Sequence, residues 1–256
     1  MSDRKHTYEV KGAPHIDVST RSGDIVIRRS DDDTVTVVLS GNKEAVESAE
    51  VDATSDSISV RSGPRGKSWF SRTTDVVIST PPGGVLRIGL GAGDVMVRVP
   101  MESVDVSTGS GDVRIEEPLK DLRVKVASGD VIVDAGVREA SITSASGDIR
   151  VGAVEDVVVN TASGSVDLGV VTSGARIKSA SGDIKVREFS GNDIDIKTMS
   201  GNATIGLVPG MTVSANVTAM SGEFRNRIEP SGVDPVGQMR LDAKSFSGDL
   251  TLCSPW

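Results

Sequence analysis

Of cysteine, histidine and the aromatic residues the chain has almost none: one Cys, two His, two Trp, one Tyr and four Phe in 256 residues. A single cysteine, Cys253, excludes an intrachain disulfide, so the fold needs no oxidising compartment. Cys253 itself reads as a small buried or end-strand residue. His6 and His15 both stand near the N-terminus with no Cys/His cluster around them, so they read as surface residues rather than zinc ligands. Few aromatics also means little surface on which a sugar ring could stack. No segment approaches the ~20 consecutive apolar residues of a membrane span. The opening Met1-Ser2-Asp3-Arg4-Lys5-His6 has no apolar signal core, which sets a cytoplasmic location as the expectation. A net charge of −8 opposes binding to nucleic acid or to an anionic membrane.

What the chain has in quantity is glycine, 28 in all, and much of it is periodic. Ser-Gly-Asp or a close variant recurs around Gly93, Gly111, Gly129, Gly147, Gly164, Gly182, Gly201, Gly222 and Gly248. The spacings are 18, 18, 18, 17, 18, 19, 21 and 26 residues. A fixed period with self-similar content marks a repeat architecture. Two and four residues after each glycine except Gly222 stand apolar residues, such as Val113 and Ile115 or Ile149 and Val151. Seven and five residues before it stand another pair, such as Val104 and Val106 or Val157 and Val159. The alternation has period two and is rich in β-branched residues, so each unit holds two strands with one face inward. An 18-residue unit cannot bury that face alone, and stacking equivalent units does so. The expected fold is all-β: a single-stranded, parallel β-helix-like solenoid with coils of roughly 18 residues.

Between the two strands there is no room for a long loop. Gly111, Gly129, Gly147, Gly164, Gly182 and Gly201 are therefore read as structural turn residues with positive φ or a close backbone approach. The serine before each one is read as bonding the turn's own backbone. The small residues two positions earlier, such as Thr108, Ser144, Thr161, Ser179 and Thr198, mark where the core narrows. The aspartates that follow the glycine would stack into an acidic row, and two readings compete for them. One is a cation-binding or catalytic ladder. The other, which is favoured, is a turn role in which the carboxylate bonds nearby amides.

The register also fits Gly23, with Ile16, Val18, Ile25 and Ile27 at the same offsets, and is then interrupted up to residue 80. Residues 1–80 are read as one coil plus an irregular β cap, and 81–256 as regular solenoid with lengthened last coils. Strand candidates in the interruption are Val35–Leu39, Ile58–Val60 and Val76–Ser79, and 41–50 has room for one or two helical turns. Loop 63–72 joins three positive charges to two aromatics in an acidic, aromatic-poor chain. Arg65, Lys67, Trp69, Phe70 and Arg72, with Trp256 at the far end, are the candidate interaction residues. The places where the repeat breaks, 28–80 and 202–248, are where function is sought.

The units Ala127-Ser128-Gly129-Asp130-Val131-Ile132-Val133 and Ser179-Ala180-Ser181-Gly182-Asp183-Ile184-Lys185-Val186 resemble a large bacterial putative-adhesin, β-strand-repeat family of unknown function. The resemblance covers most of the chain, and a weaker one exists to the bactofilins. It implies a solenoid, often envelope-associated, and brings no catalytic residues. The expected function is a non-enzymatic scaffold or protein-interaction module without cofactor or metal. Its partner would be another protein or a second copy, met through solenoid ends or loop 63–72. The alternatives are a ligand- or peptide-binding sensor of an envelope or stress-response system and, more remotely, a polysaccharide-active β-helix enzyme.

Overall fold

The computed structural model describes residues 2–62, 73–228 and 237–255. Loop 63–72 and Trp256, which hold all the candidate interaction residues, lie outside them. The chain divides into two compact units, Met1–Gly129 and Asp130–Trp256.

Both units are parallel β-solenoid. In the first, Val85–Ala92 pairs in parallel with Met101–Ser110, which pairs with Leu119–Ser128, each shifted by one 18-residue repeat. In the second, Val131–Ser146, Ile149–Ser163 and Val166–Ser181 pair in sequence, and here each strand runs unbroken through the stretch that closes the coil. The inward positions are the predicted ones. Ile16, Val18, Ile25, Ile27, Val104, Val106, Val113, Ile115, Val157 and Val159 are all no more than 2% exposed. Burial of each such side chain contributes roughly 1.5–3 kcal/mol, so the core rests on many small aliphatics rather than on aromatics. Phe189 is the exception and is fully buried.

Stacking does not follow chain order at either end, contrary to the expectation that successive coils pair. In unit 1, His15–Ser22 lies between Ser57–Ser62 and Val85–Ala92. Likewise Ile25–Arg29 lies between Thr74–Thr80 and Val95–Arg98. In unit 2, Gly237–Ser247 lies between Asp193–Ser200 and Met211–Ser221. The coil at 211–227 therefore skips one level, and the last coil, 237–253, fills the gap. This accounts for the long spacings of 21 and 26 residues.

The interruption is a small antiparallel cap. Thr34–Gly41 pairs with Thr74–Thr80 on one side and Ser2–Glu9 on the other, and Glu50–Ala53 pairs with Ser57–Ser62. Lys43–Ser48 makes the short helix, capped by the Asn42 side chain accepting from the Glu44 amide at 3.0 Å, with Ala45 and Val46 buried. Ser2–Glu9 is not among the strand candidates read from the sequence, and its alternate residues half-bury against the cap. His6 is among them, half-buried and stacked on Tyr8 at 6.1 Å. Burial, with Arg4 nearby, lowers its pKa.

Candidate functional site

The acidic row is occupied by the backbone. Asp24 Oδ1 accepts from the Asp94 amide at 3.0 Å, and Asp94 Oδ1 from the Asp112 amide at 2.8 Å. In unit 2 the same bond runs from Asp148 N–H to Asp130, Ser165 N–H to Asp148, Asn202 N–H to Asp183 and Glu223 N–H to Asp249, at 2.8–2.9 Å. Asn202 fills an aspartate's place, its Oδ1 accepting from Asp249 N–H at 3.0 Å. Each side chain thus ties one corner to the next coil, as the turn reading expected. Among the described residues no group of three or more His, Cys, Asp or Glu could hold a metal.

The corner glycines explain why nothing larger fits. Gly111 has φ 117°, and a Cβ there would overlap the Gly93 carbonyl of the coil before it. Gly129, Gly147, Gly164, Gly182 and Gly201 have φ between 118° and 138°. The hydroxyl that bonds the corner is not that of the adjacent serine, which is exposed in these coils. Instead Thr108, Ser144, Thr161 and Thr198, all buried, donate to the serine carbonyl two residues on at 3.1–3.2 Å.

Two residues before each glycine is an outward column that sequence reading passed over. Ala145, Ala162 and Ala180 give way to Met199, Phe246 and Met220 in stacking order. These last three are 63%, 59% and 76% exposed. Beside them a groove of about 610 Å³ crosses the flank of unit 2, floored by Ala162 and Ala180 and walled by Met199 and Phe246. Its other border is a row of lysines in direct ladder register, Lys178 beside Lys197 beside Lys244. Like charges directly opposite destabilise a sheet. One neighbour offsets this, since Asp195 pairs with Lys197 at 2.9 Å. The signal was present in the sequence as a switch from Ala to Met and Phe at one fixed offset in the repeat.

The ion pairs of unit 2 lie on the surface. Arg187 binds Asp167 at 2.9 Å and 2.5 Å between neighbouring coils, and that hydrogen bonding holds the Asp167 carboxyl below its usual range. Asp242 is held low by the Asn216 amide at 2.9 Å, with Arg240 adding to it. Cys253 is half-buried, its thiol pushed up by burial, with Sγ 3.7 Å from the Ile205 carbonyl. No described helix is long and apolar enough to cross a membrane.

A family model, Toastrack DUF4097, matches residues 13–253. Among solved structures, a putative adhesin from Bacteroides fragilis is 14% identical with a TM-score of 0.54, covering 98% of this chain and 97% of its own. A putative lipid binding protein from Parabacteroides distasonis is 14% identical with a TM-score of 0.53, covering 98% and 96%. A putative adhesin from Parabacteroides merdae is 10% identical with a TM-score of 0.54, covering 98% and 95%. At these identities the likeness is one of fold. No curated protein matches the chain at a significant level.

Proposed function

The chain belongs to the Toastrack DUF4097 family, and from that premise we propose that it is a non-enzymatic interaction module whose binding surface is the flank of unit 2. The observation that carries this is the run of three large apolar side chains, Met199, Phe246 and Met220, held in water on neighbouring coils. A soluble surface seldom keeps such a patch without use. The lysine row beside it selects for negative charge, so the preferred partner is an extended protein segment alternating apolar and acidic residues. The solved structures of this fold described as adhesins and as a lipid binding protein are also named for binding.

A random-peptide display selection on the immobilised chain tests the reading. It is expected to return apolar, acidic peptides whose affinity falls at least about tenfold in the double variant Met199→Ser, Phe246→Ser, the scale of losing two interface anchors. Peptides of no common character, or unchanged affinity in the variant, would remove the flank as the binding surface. A second reading, an acyl chain in the alanine-floored groove with its anionic head at the lysines, predicts instead co-sedimentation with phosphatidylglycerol vesicles that the same variant abolishes.

A further inference from the structure

We propose that the chain self-associates as a closed two-fold pair through the bare edge of Met211–Ser221. This strand ends the stack of unit 2. Among the described residues it pairs with Gly237–Ser247 along one edge and meets no strand along the other. Its inward residues Val213, Ala215, Val217 and Ala219 stand in register with Met239, Leu241, Ala243 and Ser245. Met239, Leu241 and Ala243 are buried, whereas the four residues of the end strand are half-buried or exposed. The strand is eleven residues long and contains no charge and no proline. Natural edges are normally blunted by lysine, proline, a bulge or a covering segment. Unit 1 does this, since its stack ends at Ser57–Ser62 with Glu50–Ala53 laid antiparallel across it. Met211–Ser221 carries none of these devices among the described residues.

The hydrogen-bond phase and the register both point to a second copy. At equivalent places in the ladder the Arg240 amide donates back to the Asn192 carbonyl at 2.8 Å, as Val85 does to Pro14. Carried one coil on, that phase turns Ser214, Asn216 and Thr218 toward Gly237–Ser247. It leaves the N–H and C=O groups of Val213, Ala215, Val217 and Ala219 aimed at the free edge. An antiparallel copy centred on Asn216 then sets Val213 opposite Ala219 and Ala215 opposite Val217. Residues 213–219 are then paired, and the inward faces join into one apolar layer. Such a contact is self-complementary and closes at two copies.

Light scattering on the full chain is expected to give twice the 26.6 kDa chain mass at micromolar concentration. Asn216→Lys places two like charges opposite each other at the two-fold centre and should weaken the pair at least about tenfold. Lysine there still faces Asp242, so the melting temperature of the coil should hold. In a Cys253→Ser background, Asn216→Cys should oxidise to an intermolecular disulfide, because a non-hydrogen-bonded antiparallel pair brings Cα atoms to about 4.5 Å. Thr212→Cys should not, since its copies would stand eight residues apart, roughly 27 Å. A monomer at every concentration, an open-ended polymer, no effect of Asn216→Lys, or equal cross-linking at 212 and 216 would each overturn the proposal.

Discussion

The repeat aspartates bind the next coil through one oxygen, and Asp249 gives its other to Arg225 at 2.7 Å. Asp94 Oδ1 takes the Asp112 amide while its own amide goes to Asp24, so the side chain is a clamp between coils rather than a ligand awaiting an ion. A charge-assisted bond of this kind contributes about 1–2 kcal/mol where it is partly exposed. Asp94→Ala should therefore lower stability to urea by about that much. Asp94→Asn should lose less than half of it, because an amide oxygen accepts equally well in geometry, as Asn202 does from Asp249. Equal losses in the two variants would mean that charge, not the hydrogen bond, is what the position supplies. Addition of calcium should leave both midpoints unchanged.

At the scale of the element, the inserted coil matters most. Gly237–Ser247 carries an interface on each edge, so a defect in it reaches two neighbours at once. Leu241 is fully buried at its centre, and Leu241→Ala should cost about 2–5 kcal/mol. Hydrogen exchange should show protection lost from Met211–Ser221 as well as from 237–247, with Val131–Ser163 kept. Loss confined to 237–247 would mean that 211–221 stands without it. This insertion was not legible in the sequence, for a physical reason. Every coil presents the same period-two face, so Ala215 and Val217 fit beside Ile194 and Ile196 as well as beside Leu241 and Ala243. Periodicity places side chains in or out, but does not choose which edge a strand joins. The inward residues and the strands at 34–41, 57–62 and 74–80 were legible because Val, Ile and Leu alternate along one face of each, and the corners because Ser-Gly recurs at a near-fixed interval. Ser2–Glu9 was not, because it half-buries polar residues, and Glu50–Ala53 was not, because it half-buries Val51 alone. The flank was overlooked for a related reason: its signal lies on the outward positions, which the search for a core discards.

Over the whole chain, charge and apolar surface oppose each other. The net charge of −8 at pH 7 opposes aggregation beyond the two-fold pair despite exposed Met199, Met220, Phe224 and Phe246. Carboxylates dominate that balance, and the isoelectric point is about 4.9. As pH falls toward it the repulsion vanishes, while the apolar side chains, which do not titrate, remain. Association should then be governed by those side chains. Turbidity is accordingly expected to peak near pH 5 and to fall again below it, where the chain becomes cationic. Met199→Ser with Phe246→Ser should lower the peak without moving it, because neither change alters charge. Asn216→Lys should move it slightly upward through its added positive charge. A peak that shifts with the serine variant, or that keeps its full height, would mean that the sticky surface at low pH lies elsewhere than on the flank.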